Sequence, residues 1–242
     1  MATRPIHDPR PLFALAVGQA EQQVAAVRPD ELSNSTPCAD YDVRALVGHM
    51  VAVLHKLAGV GAGRDVSDVA DVIDDVADTG WISAFSKARG EVERVWTDDA
   101  MLDRMVTLPW ATLPGRVALD AYTHEFTVHS WDLAHATGRL SELDPDLAVQ
   151  ALEAFPRFAP PETRSEQSPF GPVVAVPDDA DVYTRLAAYL GARPLGLGTA
   201  YLERKGDPIG LIKLLGSLSM PVLCRSGLGD ATSTRTCRPR AS

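Results

Sequence analysis

The 242-residue chain is short of cysteine, of basic charge and of uninterrupted apolar sequence, and each shortage removes a class of protein. Its three cysteines, Cys38, Cys224 and Cys237, are odd in number, far apart and never arranged as C-x-x-C. Neither a disulfide framework nor a zinc knuckle is therefore expected. Lysine and arginine number 23 against 32 aspartates and glutamates, a formal net charge of −9, with no Lys/Arg block. Such a surface repels phosphate backbones, which excludes nucleic acid as an expected partner. No apolar run reaches the roughly 18 residues of a membrane span, and the opening MATRPIHDPRPLF lacks a basic-then-apolar leader layout. A cytoplasmic protein with no membrane partner is the expectation. The G-x-S-x-G and P-loop motifs are missing, and GLGTAY at 196–201 has neither the third glycine nor the preceding strand of a dinucleotide fingerprint.

What is there is 45% hydrophobic and 23% charged, enough for one large domain or a domain with an appendage. The charge is unevenly spread. Residues 195–242 hold seven basic and three acidic residues, a net of +4, which leaves −13 for residues 1–194. Two of the three cysteines and seven of the 18 glycines also fall in that last fifth. The change near Pro194 divides the chain into a body at 10–194 and a divergent, partly disordered extension at 195–242, or an out-of-frame tail.

The body reads as helices. Apolar stripes predict helices over Pro11 to Arg28, after the Pro-containing turn STPCADYD, over Trp81 to Trp96, over Arg116 to Thr137 and over Pro145 to Phe158. A sixth, Asp-capped helix follows within VPDDADVYTRLAAYLGARP. The segment DRMVTLPWATLPG alternates briefly, is broken by two prolines and predicts a short hairpin or extended link. With no regular alternation of strand and helix, an all-α bundle with short accessory helices and extended segments is favoured over an α/β sheet.

Chemistry concentrates on the fourth helix, RVALDAYTHEFTVHSWDLAHAT. Glu125 and His129, four residues apart, differ by only about 40° around a helix and share one face. His49 lies mid-way along the second helix, beside the apolar set Val43, Leu46, Val47, Met50, Val53 and Leu54, where a buried imidazole needs a partner. If the two helices face each other, His49, Glu125 and His129 converge. Two imidazoles and a carboxylate make a three-ligand site with a position left open, the arrangement of a catalytic divalent metal. HEFTVH is not a metalloprotease helix, because His124 and His129 are five apart and about 140° round the helix. Asp132 can hold a ligand histidine from behind. Plainer readings exist for each: a solvated Glu/His pair, a hydrogen-bonded core histidine, a surface aspartate, and core tryptophans at Trp81, Trp96, Trp110 and Trp131. Cys38 reads as a packed turn cysteine rather than a nucleophile, and Arg139 as an anion contact or a helix-end charge.

Three separated motifs, TPCADYDVRALVGHMVAVLH, YTHEFTVHSWDLAHATGR and FGPVVAVPDDADVYTRLAAYLGARP, together resemble the actinobacterial branch of the DinB/YfiT-like metalloenzymes. That branch is related to the N-terminal domain of mycothiol-dependent maleylpyruvate isomerase. The resemblance spans roughly residues 10–194. It implies a DinB-like four-helix bundle holding a divalent metal, zinc before nickel, with His49, Glu125 and His129 as ligands. It also implies a thiol-dependent transferase or isomerase acting on small molecules with a low-molecular-weight thiol such as mycothiol. Asp132 would support the ligands, and Trp81 and Trp131 would wall the pocket. Tyr41 stands where such proteins commonly have Trp, and the 48 residues after Pro194 are too few for the isomerase's C-terminal domain. The rival readings are a metal-stabilised bundle without catalysis, acting in stress response or binding as a homodimer, and a metal-free helical binding module.

Overall fold

The computed structural model describes residues 7–38, 40–109, 111–164 and 170–191. Trp110 and the extension expected at 195–242 lie outside them. The predicted helices form as α1 (Arg10–Ala26), α2 (Val43–Gly61) and α3 (Trp81–Val95), then α4 (Ala100–Asp103), a single turn that sequence periodicity cannot show. A hairpin of β1 (Met105–Leu108) and β2 (Ala111–Pro114) follows, antiparallel with Met105 opposite Pro114. After it come α5 (Gly115–Thr137), α6 (Pro145–Phe158) and α7 (Val182–Leu190). Side-chain caps set the starts: Asp42 accepts from the Ala45 amide, and Asp181 from the amides of Tyr183 and Thr184. Gly138, at φ +72°, ends α5 in the left-handed conformation that a Cβ would penalise.

Helices α1, α2, α3 and α5 make the bundle. Arg116 on α5 donates to the His7 carbonyl at one end of α1, and Asn34 beyond its other end donates to the Ala136 carbonyl, so α1 and α5 run parallel. Arg10 reaches Thr97 and Asp99, while Glu21 pairs with Arg89, so α3 runs against α1. The Trp96 indole donates to the Leu57 carbonyl, which places the ends of α2 and α3 together and makes those two parallel. Parallel neighbours need a long return, and residues 62–80 supply it. This crossover strap retraces α2 from Val66 beside Gly59 to Asp78 on Arg44. Nineteen residues of chain readily cover the roughly 28 Å of a 19-residue helix.

The sequence expectation that no segment suits a membrane is modified by α2, whose 19 residues are long and apolar enough to cross one by length and composition. Its place in the fold accounts for that composition: nearly every residue from Val43 to Gly61 is buried inside the bundle. A second apolar cluster joins the outer face of α5 to α6 and α7 through Trp131, Ala134, Leu143, Phe155, Tyr183 and Leu186. Gln19 on α1 ties it down by donating to the Tyr183 hydroxyl (3.0 Å), which donates to the Asp144 carbonyl (2.9 Å).

Candidate metal centre

Antiparallel packing of α2 against α5 brings the middle of one helix to the middle of the other. His49 Nε2 lies 3.1 Å and His129 Nε2 3.2 Å from the same Glu125 oxygen, Oε1, and the three donor atoms all fall within 4.8 Å of one another. Donor atoms about 2.0–2.1 Å from a tetrahedral zinc ion would stand roughly 3.3 Å apart, so the spacing suits a divalent ion. The side chains are 7%, 12% and 4% exposed for His49, His129 and Glu125, which makes an unpartnered charge here costly.

Each imidazole is oriented from behind. The Nδ1–H of His49 donates to the Asp71 carbonyl at 2.9 Å, and the Tyr41 ring stacks on it at 5.1 Å. The Nδ1–H of His129 donates to Asp132 Oδ2, also at 2.9 Å. With both Nδ1 atoms committed as donors, a neutral ring at either position presents a lone pair from Nε2. Two lone pairs then face one carboxylate oxygen, an arrangement that needs a cation or protons between them. Glu125 Oε2 is buried with no hydrogen-bond partner among the described residues, a second oxygen still owed a positive charge. The donor set and the orphaned oxygen together fit a divalent metal.

The electrostatics agree. Burial alone would raise the Glu125 carboxyl, but His129 and His49 outweigh it and hold the group below the usual carboxylate range. Burial alone would lower His129, but the Glu125 and Asp132 carboxylates outweigh it and push the imidazole well above its ordinary value. The two carboxylates that favour a proton on His129 equally favour a cation beside it. Asp132 is the group that fixes this ring. Asp132→Ala is expected to weaken divalent-metal affinity about 10–100-fold, read by competitive titration with a chelator, because ligand-orienting partners are worth that much.

Four of the residues singled out from the sequence thus meet at one point: His49, Glu125, His129 and Asp132. The two tryptophans do not join them in the same way. Trp131, two residues past His129 and so about 200° round the helix, faces the second cluster and packs on His135. Trp81 is buried in the bundle core at the start of α3, its indole nitrogen without a hydrogen-bond partner among the described residues. Arg139 pairs with Glu31 at 3.1 Å. Cys38 is half-buried, and burial, then the Asp132 carboxylate, push its thiol far up, so it stays protonated at neutral pH. A cavity of about 150 Å³ bounded by Phe13, Val17, Leu54, Val92, Trp96 and Leu119 lies among the bundle helices and includes none of the triad. Tyr41 and Asp71 were not among the sequence candidates. A stacked ring eight residues before His49 leaves a faint signal, but a backbone carbonyl leaves none.

His124 packs on Phe155 and is buried, which lowers its imidazole to about 4. Its folded value lies below the unfolded one near 6.5, so the unfolded chain takes up the proton first and stability falls as pH drops from about 6.5 towards 4. The loss reaches about 3 kcal/mol at the low end. Urea midpoints across that window should fall more steeply for the natural chain than for His124→Gln, and parallel curves would contradict the assignment.

The fold and this site define a class: a helical bundle with two histidines and a glutamate gathered between facing helices. The chain belongs to the family of the mycothiol maleylpyruvate isomerase N-terminal domain, whose pattern matches residues 13–134 and so takes in all three candidate ligands. Its architecture is accordingly that of an all-α DinB-like bundle. Two uncharacterized proteins from two strains of Mycobacterium tuberculosis are each 29% identical to it over 168 residues, 69% of this chain and 88% of theirs. No solved structure matches the chain.

Proposed function

We propose that the protein is a divalent-metal protein that uses His49, Glu125 and His129 to act on small molecules with the help of a low-molecular-weight thiol. The single observation that carries the reading is that both histidines are held as Nδ1 donors while their Nε2 atoms converge on a carboxylate with one oxygen orphaned. A bound ion at such a site supplies the charge that lowers the pKa of a thiol or water and makes it a nucleophile at neutral pH. Zinc suits two imidazoles and a carboxylate with a position left open, and nickel shares the preference for imidazole.

The chain's own residues supply the rest. Asp132 and the Asp71 carbonyl orient the imidazoles, Glu125 balances their charge, and the buried surroundings keep the dielectric low so that charge is felt strongly. The family name supports a thiol, mycothiol being the one it mentions. Cys38, protonated and half-buried, is not the nucleophile of this reading.

The near-complete burial of His49 and Glu125 favours a second reading, in which the metal only stabilises the bundle. Cobalt-substituted protein separates the two. Addition of a low-molecular-weight thiol should change the visible absorption of the cobalt if the site receives thiols. An unchanged spectrum, with no thiol-dependent turnover of electrophiles, would leave the structural reading standing and remove the catalytic one.

A further inference from the structure

Helix α2 buries a lysine. Lys56 is 5% exposed on a helix whose neighbouring Val53, Leu57 and Val60 all belong to the core. It follows His49 by seven residues, about 20° short of two full turns, so the two side chains share a face. They also share a partner. Lys56 Nζ donates to the Asp71 carboxylate, and His49 Nδ1–H donates to the carbonyl of that same residue.

Asp71 belongs to the crossover strap, which is fastened to α2 along its length. The Ile73 amide donates to the Gly48 carbonyl at 3.2 Å. A Cβ on Gly48 would stand 2.2 Å from the Ile73 carbonyl oxygen, and one on Gly59 would stand 2.5 Å from a Val66 methyl. Glycine at these two positions lets the strap approach closely enough for the Asp71 carbonyl to reach His49. Nothing in metal binding itself requires a lysine here, yet a buried ammonium needs a strong reason and a fixed partner.

We propose that Lys56 and Asp71 are positioning residues for the metal centre: their ion pair pins the strap so that the Asp71 carbonyl holds His49 in the Nδ1–H tautomer, leaving Nε2 as the donor to the ion. This rests on the metal-centre reading above. Which imidazole nitrogen binds a metal is set by the hydrogen bond of the other, and loss of such a partner weakens affinity about 10–100-fold.

The test uses the full chain, with zinc as the probe and two readouts: zinc affinity, and the tautomer of His49 read from its side-chain ¹⁵N shifts in metal-free protein at mildly alkaline pH. The natural chain should keep Nδ1 protonated, whether or not Nε2 shares a proton with Glu125. Lys56→Met, which replaces the ammonium with an apolar chain of similar length, should populate both tautomers and weaken zinc binding about 10–100-fold. Lys56→Arg should restore both readouts most of the way, which a general loss of stability would not explain. Should Lys56→Met fail to fold, Asp71→Ala at the more exposed end of the pair carries the same expectations. Zinc binding by the natural chain, matched by Lys56→Met with an unchanged tautomer, overturns the positioning role. No zinc binding by the natural chain overturns the metal reading instead, and the tautomer comparison then decides the positioning role alone.

Discussion

His129→Ala is expected to abolish stabilisation of the fold by divalent metal. An ion bound only by the native state at 100 times its dissociation constant stabilises that state by about 2.7 kcal/mol. For a chain of this size that is a rise in Tm of roughly 5–10 °C. The natural protein should show this rise on zinc addition and lose it on chelation. The variant should melt at the same temperature in both. Comparing each protein with and without metal cancels the separate cost of leaving Glu125 with one fewer partner. His49→Ala should behave alike, because the site offers three protein donors and two hold an ion poorly. A variant that keeps the full shift would remove His129 from the site.

Phe126→Ala is expected to cost about 3–5 kcal/mol of stability, the range for emptying a fully buried aromatic position. Phe126 follows Glu125 on α5 and is completely buried, with edge-on ring contacts to Phe13 on α1 at 6.1 Å and to Phe85 on α3 at 6.3 Å. These contacts lock the rotation of α5, and the rotation turns Glu125 and His129 toward α2. Total stabilities of single domains are about 5–15 kcal/mol, so the variant should approach unfolding under mild conditions. Its urea midpoint should drop sharply with the slope unchanged. A loss below about 1 kcal/mol would mean that α5 is held by something other than this packing.

Much of this was legible in the sequence, for reasons that can be traced residue by residue. The start of α7 was visible because the Asp cap expected there is real, at Asp181, and the end of α5 holds at Thr137 because Gly138 takes up a positive φ. Glu125 and His129 were visible as a pair because i,i+4 spacing fixes their common face whatever the helix packs on. Their meeting with His49 needed the further step that α2 faces α5, which no periodicity carries. The strap was hidden most deeply. Residues 62–80 read as a loose acidic stretch, since Val66, Val69, Val72 and Val76 follow no sheet period and their stretch lacks a helix's caps. Val66 and Val72 pack on the glycine face of α2, and Val69 and Val76 on the core. Asp71 acts through its carbonyl, an atom every residue owns. Trp131 shows the opposite case: it was expected as a pocket wall, but two steps along a helix from His129 is the spacing that turns a side chain away.

The family pattern ends at residue 134, within α5, yet α6 and α7 are built onto the far side of that helix. The clasp of Gln19, Tyr183 and Asp144 links them back to α1 and so braces α5 from both faces. A helix held on two sides rotates little, which suits one that must present two ligands to a single point.

If the three converging side chains hold a divalent ion, elemental analysis of the purified protein will find it. The natural chain should carry about one divalent ion, give it up to a strong chelator and regain it on titration, while His49→Ala and His129→Ala should carry almost none. A natural chain that is metal-free and takes up no ion on titration, or variants with the same metal content as the natural chain, would contradict metal binding at this site.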